Sequence, residues 1–171
     1  MNIWHDISPE RVSPEEFTAV IEISKGGKNK YELDKETGLL RLDRVLYTST
    51  HYPANYGFIP RTYADDKDPL DVLVLCQEAI IPLTLVTCKP IGVLEMTDGV
   101  SFDEKIIAVP VRDPSYNSYA SIKDIPVHIF DEISNFFEVY KTLEGVQTEI
   151  KGVNDADVAV EVIKKAMDGY K

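Results

Sequence analysis

The sequence predicts an α+β protein dominated by β-strands, in which a small closed or partly closed barrel is followed by helices. Two observations lead to this fold class. Through the first two-thirds of the chain, short apolar or alternating segments are separated by glycine and proline, a pattern typical of small barrels. In the last third, apolar residues recur at helical spacing. A length of 171 residues without a linker predicts one domain over residues 1–171.

The first predicted strands lie in the N-terminal third of the chain. Residues 17–24 alternate well enough for a strand, and residues 30–33 form a short second one. Residues 34–38 have turn chemistry and lead into a strand over residues 39–46, so the second and third strands form a hairpin.

The central part of the chain contributes further apolar strands. They are predicted over residues 71–76, 84–87, 91–96 and 105–111. Cys88, Lys89 and Pro90 separate the second of these strands from the third, because proline interrupts strand pairing.

Two helices and one strand are predicted near the C-terminus. Ile125-Pro126 opens the first helix, whose apolar residues repeat at helical spacing until Gly145 ends it. Residues 146–151 form a strand, and Asn154 is the predicted N-cap of the last helix.

The charge of the chain restricts its partners. A formal net charge of −11 disfavours nucleic acid and anionic lipid, so neither is expected as a partner. An acidic protein binds a polyanion only through local cations or metal ions. Residues 1–7 lack the features of a signal peptide, and no apolar run is long enough to span a membrane. These observations predict a cytoplasmic protein without membrane contact.

Cysteine and histidine do not indicate a zinc site. Cys76 and Cys88 each lie in an apolar run and are predicted to be buried thiols. The three histidines are isolated, without a ligand partner at helical spacing.

Four aspartates crowd into seven residues directly before an apolar strand. They are Asp65, Asp66, Asp68 and Asp71. Carboxylates this close repel one another, and hard divalent ions such as Mg²⁺ or Mn²⁺ relieve the repulsion. A solvated acidic turn is an equal alternative on spacing alone. A calcium loop is a weaker one, because the required D-x-D-x-D-G spacing is missing.

A second acidic group consists of Asp98, Asp103 and Glu104, between two predicted strands. Alone it is typical of a charged hairpin loop. If it lies near the first group, however, carboxylates from both sides can hold two metal ions.

Four cations and two tyrosines are candidates for binding an anionic ligand. Lys30, Arg44, Lys105 and Lys141 lie in or beside predicted regular structure, although each taken singly is typical of a surface charge. Tyr52 and Tyr56 either donate to phosphate oxygens or pack at a barrel edge. No P-loop and no nucleophile elbow is present. The residues alone therefore predict a multi-metal site suited to phosphoryl chemistry on a small anion.

Residues 66–72, DKDPLDV, match a specific signature, D-x-D-P-x-D-V. Further motifs stand in the same order, namely Lys30-Tyr31-Glu32, Asp43-Arg44, residues 52–57 (YPANYG), Met96-Thr97-Asp98, Asp103-Glu104-Lys105 and residues 136–141 (FFEVYK). With these motifs the chain resembles the soluble, magnesium-dependent inorganic pyrophosphatases of family I over nearly its whole length. The resemblance implies an OB-like five-stranded barrel with flanking C-terminal helices. It also implies a cytoplasmic homohexamer that hydrolyses pyrophosphate to two orthophosphates.

The resemblance also implies roles for individual residues. Several Mg²⁺ ions per site, which Mn²⁺ or other divalent ions replace, are expected on Asp66, Asp71 and Asp103, with Asp98 on a further ion and Glu22 and Glu32 supporting outer ions. Asp68 is expected to be the general base that activates a water shared between two metal ions. The expected phosphate ligands are Lys30, Arg44, Tyr56, Tyr140 and Lys141, with Tyr52 and Lys105 as near neighbours.

One position departs from the pattern of the family. Gly99 follows Asp98 where many members have a second acidic residue, which puts the outer metal site in doubt. Two alternatives stay open. The first alternative to the enzyme is a catalytically silent metal- or anion-binding module on the same fold, and the second, less in keeping with the charge of the chain, is an OB-type nucleic-acid binder.

Overall fold

A computed structural model describes residues 1–170. Their regular elements are β1 (Phe17–Ile23), β2 (Asn29–Leu33), β3 (Leu40–Val45), β4 (Asn55–Ile59), β5 (Leu70–Val74), β6 (Leu85–Asp98), β7 (Ser101–Pro110), α1 (Val127–Val139), β8 (Thr148–Asp155) and α2 (Ala156–Gly169). None of the helices in this part of the chain has the length and apolar composition needed to cross a lipid bilayer.

Five strands form a ring. They pair in the order β1-β4-β5-β7-β6, and β6 pairs back onto β1. The pairs are antiparallel except for β5 and β7, which run parallel. β8 extends the sheet from β6, while β2 and β3 form a separate hairpin. The predicted α+β class and the OB-like five-stranded barrel are confirmed, and closure leaves the ring with few free edges.

A close backbone crossing shapes the barrel where β1 meets β4. Gly57 pairs with Ile21, and a Cβ atom at this position would lie 1.8 Å from the carbonyl oxygen of Val20. Only glycine fits here, because any side chain would force the two strands apart.

The barrel strands are buried on both faces. On β5, Val72 and Val74 belong to one apolar cluster and Leu73 to another. The helices cover these clusters. α1 contributes Phe136 and Phe137 to the cluster that contains Leu73, and α2 contributes residues such as Ile163 to the other. Burial of both faces explains why strands such as β5 are continuously apolar.

Two strand predictions were wrong in the barrel. β4 was missed. The segments predicted over residues 84–87 and 91–96 are one strand, β6, which continues through Pro90. The pairing with β7 shifts register between Pro90 and Gly92, and a bulge of this kind accommodates proline inside a strand.

Three boundary predictions were also wrong. The first helix was expected to end at Gly145, but α1 ends at Val139, and Gly145 ends a separate 3₁₀ helix over Thr142–Glu144. The acidic residues predicted to form a loop after Met96 lie mainly in strand, because β7 begins at Ser101 and Asp98 pairs with it. The last helix is capped by Asp155 rather than Asn154, and the Asp155 side chain accepts a hydrogen bond from the Ala156 N–H at 2.7 Å. Cys88 is buried and Cys76 is partly buried, and both are free thiols.

Candidate functional site

A cleft of about 640 Å³ opens between the β2–β3 hairpin, the loop before β5 and the β6–β7 hairpin. It is lined by eleven of the twelve side chains predicted for the site. They are Glu22, Lys30, Glu32, Tyr56, Asp66, Asp68, Asp71, Asp98, Asp103, Tyr140 and Lys141. Residues that are far apart in the sequence therefore meet at one concave surface, as the prediction of a combined acidic and basic site requires.

Lys105 occupies the buried floor of the cleft. Asp71 on β5 and Lys105 on β7 are register partners, so strand pairing places them side by side. The Lys105 Nζ lies 2.9 Å from Asp71 Oδ2, 3.0 Å from Asp103 Oδ2 and 2.9 Å from the Tyr56 hydroxyl. Its side chain is only 3% exposed. The floor is therefore a buried cation held between two carboxylates.

The pKa values of this floor reflect burial and charge together. Burial alone would lower the pKa of Lys105, but Asp103 and Asp71 raise it well above its ordinary value. Burial raises the pKa of Asp103, and the charge of Asp71 adds to the effect. Burial likewise raises the pKa of the Tyr56 phenol, which keeps it a hydrogen-bond donor.

The aspartate loop, which we define as residues 63–69, carries Asp66 and Asp68. Hydrogen bonds within the loop shape it: the Ala64 N–H donates to the Asp68 carbonyl at 2.8 Å, and the Asp68 N–H donates to the Asp66 side-chain carboxylate at 3.1 Å. Partial removal from water, with the charges of Asp71 and Asp103, raises the pKa of Asp66 to about 6. Asp68 is exposed and contacts Lys35 at 2.5 Å.

The far wall of the cleft comes from the β6–β7 hairpin and the end of α1. Asp98 closes β6 opposite Ser101. Tyr140 caps α1, and Lys141 follows it with its Nζ 2.5 Å from Asp98 Oδ2. The helix end thus places one hydroxyl and one ammonium group beside a carboxylate.

Two glutamates complete the acidic lining. Glu22 on β1 is buried and accepts a hydrogen bond from the Leu33 N–H at 2.8 Å. Burial raises its pKa to about 8. Glu32 on β2 is more exposed and lies 3.6 Å from the Lys30 Nζ and 3.2 Å from Arg41.

Arg44 is the predicted site residue that does not line the cleft. Its guanidinium contacts the neighbouring Asp43 and lies 2.6 Å from Glu144. Tyr52 also lies outside the lining, packed against Phe136 with ring centroids 4.7 Å apart. The packing alternative for Tyr52 is therefore the one found, whereas Tyr56 faces the cleft.

Sequence reasoning missed several side chains that line the cleft, among them Trp4, Lys35 and Arg41. Lys35 and Arg41 lie on either side of the β2–β3 turn and are close to Lys30 in the sequence. This group of cations would have been enough to propose them as cleft residues. Trp4 lies far upstream in the sequence, and no local pattern marks it.

The residues fit a hard divalent ion by donor type. Carboxylate oxygens are the ligands that Mg²⁺ and Mn²⁺ prefer, and burial together with the charges of neighbouring aspartates already raises the pKa of Asp66. Within residues 1–170 no three carboxylate, imidazole or thiol side chains form a ready-made metal cage. Lys105 and Lys141 instead contact the predicted metal-binding aspartates Asp71, Asp103 and Asp98 at 2.5–3.0 Å, and a divalent ion would replace these two lysines as the counter-charge.

Comparisons with known proteins agree with this site. A family model described as inorganic pyrophosphatase matches residues 19–171. The soluble inorganic pyrophosphatase 1 of Arabidopsis thaliana is 47% identical over 167 residues, covering 98% of this chain and 79% of the relative. The inorganic pyrophosphatase of Haloferax volcanii is 44% identical over 172 residues, covering 100% of this chain and 97% of the relative.

Solved structures of inorganic pyrophosphatases are also similar to this chain. The inorganic pyrophosphatase of Thermus thermophilus superimposes with a TM-score of 0.91 and 36% identity, covering 99% of both chains. That of Helicobacter pylori superimposes with a TM-score of 0.89 and 43% identity, covering 92% of this chain and 95% of the other.

Proposed function

The chain belongs to the inorganic pyrophosphatase family and hydrolyses inorganic pyrophosphate, and we propose that the reaction takes place in the cleft with Mg²⁺ as the divalent ion. One observation supports this location above the others. The cleft brings six predicted metal-binding carboxylates together with lysines and tyrosines, which is the combination that a highly charged anion and its counter-ions require.

We assign each predicted metal-binding carboxylate of the cleft to one of several divalent ions. Asp66, Asp71 and Asp103 would hold the activating ions, Asp98 a further one, and Glu22 and Glu32 would support outer ions. When bound, divalent ions neutralise phosphate charge and make water more acidic.

Asp68 is proposed as the general base. Its carboxylate is exposed at the mouth of the cleft, where it can accept a proton from the water whose oxygen attacks phosphorus. The bond from phosphorus to the bridging oxygen breaks, and the second phosphate leaves with that electron pair. Lys30, Arg44, Tyr56, Tyr140 and Lys141 would stabilise the charge on the phosphates.

The ion pairs indicate how the cations are used. Lys141 now contacts Asp98, and Lys30 contacts Glu32. Phosphate oxygens are also anionic acceptors, so each lysine can exchange a carboxylate for a phosphate without a change of charge state. Arg44 would turn from Glu144 toward the cleft by a side-chain rotation.

The first experiment measures phosphate release from pyrophosphate with Mg²⁺, with and without a chelator, in wild type, Asp68→Asn and Asp65→Asn. Asp65 lies in the same loop but contacts Lys165 and does not line the cleft. We expect Asp68→Asn to lower kcat by about 10²- to 10⁴-fold with little change in KM, and Asp65→Asn to resemble wild type.

Two outcomes would contradict the proposal. Normal turnover in Asp68→Asn would remove Asp68 from the role of base. No metal-dependent release from folded wild-type protein, with Mg²⁺ or Mn²⁺, would favour the silent binding module, which the named relatives do not support.

We further propose a cytoplasmic homohexamer. The support is the resemblance to compact members of the family, together with exposed apolar side chains on the β2–β3 hairpin, such as Leu39 and Leu42. Sedimentation equilibrium should give six times the chain mass of 19.3 kDa, and a monomer mass would refute the assembly.

A further inference from the structure

Lys35 and Asp68 meet at the mouth of the cleft although both lie in loops. The Lys35 Nζ is 2.5 Å from Asp68 Oδ1, and the two side chains are 52% and 55% exposed. An ion pair this exposed contributes little by itself. The two loops must therefore be held in place by other contacts if the pair is to have a fixed geometry.

The indole of Trp4 supports the lysine side of this pair. The Lys35 Nζ lies 5.1 Å from the centroid of the Trp4 ring, a distance at which the ring face attracts a cation. Trp4 is only 7% exposed and packs against Val20 and Phe58. The buried Trp4 ring thus offers a fixed surface to the exposed Lys35 side chain.

The same indole supports the aspartate loop. The Trp4 Nε1–H donates to the Thr62 carbonyl at 2.8 Å. The Thr62 hydroxyl donates to the Ile59 carbonyl at 2.6 Å and accepts from the Leu70 N–H at 2.9 Å. Thr62 therefore closes the base of the aspartate loop, and Trp4 holds that base.

Arg61 and His5 contact Trp4 in turn, and Tyr170 contacts His5. The Arg61 N–H donates to the Trp4 carbonyl at 3.0 Å. His5 stacks on Trp4 with ring centroids 4.6 Å apart, and its Nδ1 lies 2.8 Å from the Tyr170 hydroxyl. Neither Trp4 nor these contacts belong to the motifs that predicted the site.

We propose that Trp4 and Lys35 form a tether that positions the Asp68 carboxylate for the hydrolytic step. This inference rests on the proposed role of Asp68 as general base. Trp4 and Lys35 are positioning residues, which act through Asp68. The ring fixes the base of the aspartate loop, and the ammonium group fixes the carboxylate itself.

The tether predicts a specific kinetic effect. Without Lys35, the Asp68 carboxylate samples orientations that do not face the attacking water, whereas the proposed phosphate ligands stay in place. We expect Lys35→Met to lower kcat roughly ten- to hundredfold, as loss of an orienting partner commonly does, with KM within about twofold. Lys35→Arg keeps the cation and should recover most of the activity.

The test compares Lys35→Met, Lys35→Arg and Lys164→Met, the last of which removes an exposed lysine from α2. Trp4 is the only tryptophan of the chain, so its fluorescence reports directly on the tether without metal or substrate. We expect altered emission in metal-free Lys35→Met, and wild-type emission and activity in Lys164→Met.

A double-mutant cycle separates positioning from general stability. Trp4→Leu should lower kcat in the wild-type background and add less in the Lys35→Met background, because either change alone already breaks the contact between the ring and the ammonium group. If Trp4→Leu unfolds, the same cycle is run with Trp4→Met, which also removes the ring. Thermal unfolding of each variant verifies that it is folded.

The two proposals fail differently. If Asp68→Asn is active, the role of the base is wrong. If Asp68→Asn is impaired but Lys35→Met has wild-type kcat or unchanged Trp4 emission, the base stands and the tether is refuted. Additive effects of Trp4→Leu and Lys35→Met on kcat would also refute it.

Discussion

Lys105 and Lys35 both contact aspartates of the cleft, yet different parts of the fold hold them. Lys105 lies on a paired strand, is 3% exposed, and contacts Asp71 and Asp103. Lys35 lies in a turn, is 52% exposed, and contacts Asp68. The floor of the cleft is thus part of the core, whereas its mouth is assembled from loops.

This difference in burial predicts that Lys105 contributes mainly to stability and Lys35 mainly to catalysis. Removing a buried cation from between two carboxylates strongly destabilises the folded state, because it leaves charge without a partner in a desolvated place. An exposed pair is nearly neutral for stability and matters only through geometry. Substitution of Lys105 should therefore lower the free energy of unfolding far more than the same substitution of Lys35.

The largest expected effect on stability is at the floor. Lys105→Met should lower the free energy of unfolding by about 3–5 kcal/mol in metal-free protein, because Asp71 and Asp103 then lose their buried partner. Urea unfolding at pH 7 measures this, with Lys164→Met as the control. A loss below about 1 kcal/mol would mean that water replaces Lys105 easily, and the contrast with the mouth would disappear.

Asp155, whose carboxylate accepts a hydrogen bond from a backbone N–H, is expected to affect stability by an amount between those of Lys105 and Lys35. The Ala156 N–H holds the pKa of Asp155 below its ordinary value, helped by the Ser121 hydroxyl. Asp155→Ala should cost about 1 kcal/mol at pH 7 as a lost N-cap.

The sign of the pH dependence follows from that lowered pKa. The contribution of Asp155 is fully present above the unfolded-state pKa of about 3.9 and is lost as pH falls through the lower folded-state value. Unfolding curves of wild type and Asp155→Ala should therefore converge as pH falls below about 4. Asp157→Ala, in the same helical turn, is the control, and a gap that persists at pH 2 would argue against the cap.

The smallest expected effect on stability is at the mouth. Lys35→Met should change the free energy of unfolding by less than about 1 kcal/mol, and added salt should reduce the change further. Urea unfolding at two ionic strengths measures it. A loss comparable to that of Lys105→Met would show that the two regions are held alike.

The barrel was predictable from local patterns where the pattern was simple. Continuous apolar runs marked β5 and β7, and turn residues marked the β2–β3 hairpin. β4 was missed because Asn55 and Gly57 lower its strand propensity, and only the crossing with β1 explains why glycine is required there. β6 was divided because a bulge that tolerates Pro90 depends on pairing that is set by the tertiary fold.

The site was predictable to a similar extent. Two acidic groups, with lysines and an arginine elsewhere in the chain, predicted a metal and anion site from the residues alone. The resemblance to a family added Glu22, Glu32 and Tyr140 and the role of each residue. Where each side chain points depends on the fold. Arg44 turns to Glu144, and Trp4 reaches Lys35 and Thr62 only after three distant segments come together.

The pairing of β1 with β6 also affects the order in which strands can pair while the polypeptide is being synthesised. β1 ends at Ile23 and β6 begins at Leu85, so a ribosome adds about 60 residues, in roughly 3–12 s, before the first strand meets this partner. β4 is synthesised earlier and pairs with one edge of β1, so only the edge that faces β6 stays unpaired during this time. Among the paired strands of the ring, β1 and β6 are the farthest apart in the sequence, and this edge therefore waits longest for its partner during synthesis.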